Sequence, residues 1–163
     1  MLCYNARMKL LVISDTHGNY ALALKAHSLS EPIDIIVHLG DGLSDAELMQ
    51  ELLHADVVCV AGNCDLGSSA PRELLWECEG KRILLTHGDA YRVKFGLERL
   101  KQRALEVRAD LVLFGHSHIA TQENYSDILF LNPGTMMNDI SNNSYAIVDV
   151  EQNGISATLH EID

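Results

Sequence analysis

The sequence predicts an α/β fold that begins as a parallel sheet, and three observations predict it. Short apolar runs, partly β-branched, recur along the chain in the manner of buried strands. The first three are separated by segments with helical caps and apolar stripes. Each run stops in a loop that sets glycine beside an acidic, amide or imidazole side chain, and in open α/β sheets ligands gather in the loops at the carboxyl ends of strands.

Lys9 to Ile13 reads as the first buried strand, and Ser14-Asp15-Thr16-His17-Gly18 stands where it should stop. Asn19 is placed to cap a helix over about 19–30, through Ala21, Leu22, Leu24 and Lys25. Pro32 then breaks the chain, and Ile33 to His38 reads as a second strand ending in Leu39-Gly40-Asp41-Gly42. Ser44, with Glu47 three residues on, has the spacing of a capping box for a helix whose stripe is Leu48, Leu52 and Leu53. Val57 to Val60 is the third strand, ending in Ala61-Gly62-Asn63-Cys64-Asp65. This βαβαβ rhythm implies parallel pairing with right-handed crossovers.

From there the pattern changes. Glu73 to Cys78 and Lys81 to Thr86 flank Glu79-Gly80 and suggest an antiparallel hairpin, whose second arm ends in His87-Gly88-Asp89. A helix is expected over roughly 96–107, with Leu97, Leu100, Ala104 and Val107 on one face. Leu111 to Phe114 is the next strand, ending in Gly115-His116-Ser117-His118. The remainder reads as β-rich: Ile119 to Glu123, Ile128 to Leu131, Tyr145 to Val150 and Ile155 to His160, with the turn Asn132-Pro133-Gly134 among them.

Composition bounds the rest. With 163 residues, 47% of them hydrophobic, the chain is large enough for one domain, 1–163, with a sizeable core. Only 21% charged residues and 3 prolines speak against extended disorder. A formal net charge of −11 argues against a general nucleic-acid or anionic-membrane surface, so neither a nucleic-acid polymer nor a membrane is an expected partner. Bound cations can still reverse the local sign and admit phosphate. The four cysteines form no C-x-x-C pair, and Cys59 and Cys78 lie in apolar contexts suited to core thiols. Met1 to Arg7 holds no apolar signal region and no segment is long enough to span a bilayer, so a reduced, cytoplasmic protein is expected, with residues 1–7 a loose extension.

Five strand ends thus offer Asp15 and His17, Asp41, Asn63, His87, and His116 and His118. All seven are oxygen or imidazole donors and none is a thiolate, the set suited to hard-to-borderline divalent metals. Asp15 and His17, two apart in a segment expected to be extended, would point the same way. Each strand end also carries a glycine (Gly18, Gly40, Gly62, Gly88 or Gly115), which permits positive φ and close backbone approach. Taken singly, such residues more often belong to a plain turn or to an ordinary surface or core histidine. Their joint occurrence at successive strand ends is what points to a metal site.

The ordered set Asp15-Thr16-His17, Gly40-Asp41, Gly62-Asn63, His87 and Gly115-His116-Ser117-His118 resembles the motifs of the calcineurin-like metallophosphoesterases. The resemblance covers nearly the whole chain. Gly62-Asn63-Cys64-Asp65 and Asn132-Pro133-Gly134 look like its small YfcE-like phosphodiesterase branch. It implies a two-sheet αββα sandwich around a dinuclear metal centre. Asp15, His17 and His118 would hold one ion, Asn63, His87 and His116 the other, and Asp41 would bridge them, with a bridging hydroxide between the ions. Asp41, Asn63 and His87 would serve catalysis as well as binding. Manganese is the expected ion, with nickel, iron and zinc as alternatives.

Some positions depart from the larger relatives. Cys64 replaces the histidine that follows the Asn there; as a poor general acid it is expected to be a packing residue. Asp89 stands where many relatives carry a second histidine, and it could either orient His87 or be solvated. No arginine follows the Asn-Pro-Gly turn within Thr135 to Ile140. His38, inside an apolar strand, is expected to be a hydrogen-bonded core residue, and His27, His54 and His160 surface residues.

Two function classes follow from the resemblance. One is a metal-dependent phosphodiesterase acting on a small phosphodiester, with phosphomonoesterase and nuclease as alternatives within the enzyme class. The other is a non-catalytic scaffold like the small subunit of retromer, which shares the fold. A scaffold free of catalytic demand should lose ligands, and here all seven positions keep donors. A homo-oligomer stays open.

Overall fold

Alternation within the first strand decides the layering of the molecule. In the computed structural model, which describes residues 6–138 and 140–163, β1 spans Arg7–Ile13. Leu10 and Val12 face one core while Leu11 and Ile13 face another, all with no exposed surface. Both faces of the strand are therefore buried, as its unbroken apolar run requires.

Strand β2 (Ile35–His38) pairs parallel with β1, and β3 (Asp56–Cys59) pairs parallel with β2. Near the chain end β9 (Ser144–Glu151) runs antiparallel along the other side of β1, and β10 (Gly154–Glu161) antiparallel to β9. The first sheet is thus β10-β9-β1-β2-β3. Helices α1 (Tyr20–Ser30) and α2 (Leu43–Leu53) cross between its parallel strands, and Ala23, Ala26 and Met49 close the core over Leu11, Ile13 and Ile36.

The second sheet is built on the expected hairpin. β4 (Glu73–Cys78) pairs antiparallel with β5 (Lys81–Thr86), and β6 (Leu111–Leu113) joins β5 in parallel. β8 (Ile128–Asn132) lies parallel to β6, with β7 (Thr121–Tyr125) antiparallel at the edge, giving the order β4-β5-β6-β8-β7. Ile83 and Leu85 point toward the first sheet, and Leu84 and Val112 toward α3 (Glu98–Glu106), where Leu100 and Ala104 cover them. The architecture is the expected two-sheet α/β sandwich, with mixed sheets and helices on the outer faces. Each fully buried Leu, Ile or Val in these three cores contributes roughly 1.5–3 kcal/mol.

Several expectations change in detail. Ser44 does not cap α2: Gly42 is the residue before the helix, Ser44 is exposed within it, and no side chain of its own segment caps it. The orphan N–H groups of Gly42 and Leu43 go instead to Asp65 Oδ1, both at 3.0 Å. Asn19 does precede α1, but its amide donates to Met136 O at 2.8 Å rather than capping. The expected helix over 96–107 is shortened to α3 because two 3₁₀ turns, Asp89–Tyr91 and Val93–Phe95, come before it and Gly96 sits at φ +134°. His27 is buried rather than exposed, with Nδ1 3.4 Å from Glu31 Oε1. Arg7 belongs to β1 and pairs with Asp149 at 2.8 Å; residues 1–5 of the expected extension, Cys3 among them, lie outside the described residues. Among the described residues no helix is long and apolar enough to cross a membrane.

Candidate metal centre

The loops after β1 and β2 continue side by side beyond their strands. Asp15 N–H donates to Gly40 O at 3.0 Å and His17 N–H to Asp41 O at 3.1 Å. The loop after β6 is held against that after β5 by Gly115 N–H to His87 O at 2.9 Å. A Cβ on Gly40 would stand 2.5 Å from Gly62 N and 2.9 Å from His87 Nδ1, and one on Gly62 would stand 2.1 Å from Asp41 Oδ1. Only glycine permits these loops to close so tightly.

The side chains they carry fall into two clusters. Asp15, His17 and His118 each present a ligand atom within 4.8 Å of the others, as do Asp41, His87 and His116. In the first, His118 Nε2 lies 3.0 Å and His17 Nε2 3.8 Å from Asp15 Oδ1. In the second, His87 Nε2 lies 3.4 Å from Asp41 Oδ2 and 3.2 Å from His116 Nδ1. The clusters touch, because His17 Nε2 is 3.7 Å from Asp41 Oδ2 and His87 Nε2 is 3.9 Å from Asp15 Oδ1. Asn63 is exposed on the loop after β3, its amide on Cys64 Sγ at 3.4 Å, and Cys64 N–H donates to Asp41 Oδ1 at 2.8 Å.

The backbone carries this arrangement at an energetic cost. Asp15, His17, Asp41, His116 and His118 all have positive φ, between 44° and 67°. Left-handed backbone at a residue with a side chain costs about 1–2 kcal/mol, and such outliers gather where function over-determines the structure. The segment from Asp15 to His17 is therefore not extended, as the sequence suggested; its two side chains converge through a turn.

Hydrogen bonds decide which atoms stay open toward the shared space. Ser14 Oγ donates to Asp15 Oδ2 at 2.5 Å and His116 N–H to the same oxygen at 3.1 Å, leaving Oδ1 to face the imidazoles. Asp41 Oδ1 takes the Cys64 N–H, leaving Oδ2. His87 Nδ1 meets Leu39 O at 2.8 Å, and since a carbonyl only accepts, the proton sits on Nδ1 and the Nε2 lone pair points inward. Burial alone would raise the Asp15 carboxyl, but hydrogen bonds from His118 and Ser14 and the charge of His87 hold it below the usual range. Asp41 is likewise lowered against its burial, by His87 and the Cys64 N–H. For His87 burial opposes the imidazolium, yet Asp41 and Asp15 raise its pKa. Two acids held ionised and the inward Nε2 lone pair of His87, beside the imidazoles of His17, His116 and His118, form a donor set that fits divalent cations.

Three residues have roles other than those expected. Cys64 is exposed, not packed, and its ligand atom falls within 4.8 Å of those of His17 and Asp41. Asp89 does not orient His87; partly exposed, it pairs with Arg72, whose Nη1 donates to Gly62 O at 2.8 Å. His38 is fully buried and hydrogen-bonded, as expected, to Thr16 Oγ1 at 3.0 Å and Gly40 N at 3.1 Å.

The residues that sequence reasoning passed over are mostly braces. Asp65 accepts four backbone N–H groups, from Asp41, Gly42, Leu43 and Gly62, at 2.7 to 3.0 Å. An Asp side chain reaching back to a backbone N–H three residues earlier is a local pattern, and it was the available signal for the Gly62 bond alone. Asn132 donates to Gly115 O at 3.0 Å and Ser117 Oγ at 2.9 Å, steadying the loop of His116 and His118. Ser14 and the Thr16–Asp45 pair carried no sequence signal, since their partners are set by tertiary approach.

Comparison with known proteins places this geometry in context. Residues 8–153 match the model of the calcineurin-like phosphoesterase superfamily domain. The chain is 34% identical over 157 residues to a probable metallophosphoesterase, YsnB, of Bacillus subtilis strain 168, covering 94% of this chain and 91% of the relative. It is 32% identical to the phosphodiesterase YfcE of Escherichia coli K12, over 87% of this chain and 88% of that one. Among solved structures, a conserved uncharacterized protein, a predicted phosphoesterase from Streptococcus pneumoniae TIGR4, superposes with a TM-score of 0.80 at 26% identity, covering 96% and 90% of the two chains. Vacuolar protein sorting 29 of Cryptosporidium parvum superposes with a TM-score of 0.76 at 18% identity over 96% and 98%, a likeness of fold.

Proposed function

The chain belongs to the calcineurin-like phosphoesterase superfamily and is a metallophosphoesterase, and from that premise we propose that it hydrolyses small phosphodiesters at a dinuclear centre within one domain, 1–163. Asp15, His17 and His118 would hold one divalent ion, and Asn63, His87 and His116 the other, with Asp41 shared between them. The observation that carries this reading is the contact between the two clusters, with His17 Nε2 3.8 Å from Asp15 and 3.7 Å from Asp41. Two such ions bound together would acidify a shared water and neutralise the phosphoryl oxygens of an in-line displacement.

The protein's own part is to hold its donors ready. Leu39 O keeps the His87 proton on Nδ1. Ser14 and the His116 N–H occupy Asp15 Oδ2, and the Cys64 N–H occupies Asp41 Oδ1, so each acid turns its other oxygen toward the imidazoles. Two acids and a neutral amide leave two divalent ions with a surplus of positive charge, suited to a singly charged diester. A third carboxylate at position 63 would diminish it. Oxygen and imidazole donors favour manganese, with nickel, iron and zinc as alternatives. A phosphomonoester brings more negative charge and, with Cys64 in place of a histidine, would have less help with its leaving group, and a nucleic-acid polymer would meet the acidic surface.

The test is reconstitution with each metal, elemental analysis, and hydrolysis of bis-nitrophenyl phosphate beside a nitrophenyl monoester. About two ions per chain and preference for the diester are expected. Persistently metal-free protein, or rates equal to those of Asp41→Asn for every ester, would favour the scaffold that Vps29-like folds also support.

A further inference from the structure

The loop that carries His116 and His118 has a second side. Ser117, between the two histidines, lines a cavity of about 240 Å³ together with Val93, Lys94, Leu97, Phe114 and Ile119. Val93 and Phe114 are buried and supply apolar walls, while Lys94 and Ile119 stand exposed at its edge. Ile119 is 67% exposed immediately after His118, a position where no core demands a branched aliphatic side chain. Lys94 takes part in none of the ion pairs among the described residues, in a chain with 23 acidic residues against 12 Lys and Arg.

We infer that this cavity is the subsite for one ester substituent of the substrate, a single aromatic ring or short branched alkyl group, with Lys94 at its edge attracting the phosphodiester anion. The inference rests on the hydrolase reading above and names the class of diester that reading leaves open. Its size supports one ring and not a nucleoside: a dry cavity of about 150 Å³ admits benzene, and this one is about 240 Å³. Its apolar walls gain from burying a ring; Glu123 also lines it but has its charge paired with Lys101 Nζ at 2.7 Å, and Ser117 joins the cavity to the His116–His118 loop. A substrate seated this way would place its phosphate toward the two clusters and its substituent between the Val93–Phe95 turn and the start of β7, where Thr121 also lines the wall.

Phenylphosphonate and methylphosphonate test this directly, because they share an anionic head and differ only in the group the cavity would hold. Calorimetric titration of the Mn²⁺-loaded protein should show phenylphosphonate binding about tenfold more tightly. Thr121→Phe, which fills the cavity, and Ile119→Gln, at an exposed position, should bring the ratio close to one with methylphosphonate affinity unchanged. Lys94→Met should weaken both ligands by a similar factor. Equal affinities, binding of neither ligand, or a ratio unmoved in both variants overturns the subsite alone if aryl diesters are still hydrolysed. Failure of both phosphonate binding and hydrolysis overturns the hydrolase reading beneath it.

Discussion

The Asp65 carboxylate accepts the backbone N–H of Asp41 at 2.7 Å, so that one acid positions another. The same carboxylate takes the N–H groups of Gly62 at 2.7 Å and of Gly42 and Leu43 at 3.0 Å, joining the loop after β3 to the loop after β2 and the start of α2. Burial would raise its pKa, but these four donors outweigh it and hold it low. The charge, and the bonds it makes, thus persist at neutral pH and are lost only as pH falls below the ordinary carboxylate range.

Asp65→Ala should therefore destabilise the protein by on the order of 2–3 kcal/mol, since it strands several partly buried N–H groups at once. Urea denaturation at neutral pH checks this. The variant should also bind metal more weakly, because Asp41 loses its brace. A change in stability below about 0.5 kcal/mol, within the range of ordinary surface substitutions, would show that water replaces the carboxylate without loss.

The fold was legible because its signals are local. Apolar runs such as Leu11-Val12-Ile13 and Ile83-Leu84-Leu85 are buried on both faces, and the hairpin around Glu79-Gly80 has the expected limits. That candidate donors stand at successive strand ends was readable in the sequence, whereas their division into two groups came only with the family resemblance; the structure brings six of the seven candidates together in two clusters. What stayed hidden depends on contacts distant in sequence. Asp65 capping α2 in place of Ser44, Arg72 holding Asp89, and Ser14 occupying Asp15 Oδ2 are choices among competing partners that no spacing encodes. The positive φ at Asp15, His17, Asp41, His116 and His118 was hidden for the same reason, since only the assembled loops impose it.

His38 makes stability depend on pH. Thr16 Oγ1 donates to Asp45 Oδ2 at 2.5 Å and so accepts from His38 Nε2–H, while His38 Nδ1 accepts the Gly40 N–H at 3.1 Å. This wiring suits only the neutral ring, and burial lowers its pKa from 6.5 to about 4 despite the nearby acids Asp45 and Asp65. The unfolded chain therefore binds the extra proton first. The stabilisation is complete above about pH 6.5 and is lost as pH falls toward 4, by on the order of 3 kcal/mol. Denaturant midpoints of the native chain and His38→Gln should be compared at pH 7 and pH 4. The native chain should lose more of its stability than the variant does, and equal losses would refute the assignment.

Asp41→Asn should separate metal binding from folding. The substitution keeps the shape that receives the Cys64 N–H but removes the charge that faces His17 and His87. Bound metal should fall from about two ions per chain to one or fewer, with diester hydrolysis lost and the far-ultraviolet dichroism unchanged. Two ions retained at native affinity would mean that Asp41 is not the shared ligand.

Leaving-group chemistry tests whether any side chain protonates the departing oxygen. Three acids lie near enough to consider, and each is compromised. Asp89 is committed to Arg72. His87 spends its Nδ1 proton on Leu39 O. The Cys64 thiol, raised by burial and by Asp41, keeps its proton too tightly to release it readily at neutral pH. The rate should therefore fall steeply as the leaving-group pKa rises, with nitrophenyl diesters cleaved far faster than alkyl diesters in the presence of Mn²⁺. A true general acid contributes about 10²–10⁴-fold, so Asp89→Asn and Cys64→Ala should each stay within roughly tenfold of the native rate. Losing the Arg72 pair should matter little to folding, because exposed ion pairs are worth about 0–1 kcal/mol. A shallow dependence, or a hundredfold loss in either variant with normal metal content, would identify the missing acid.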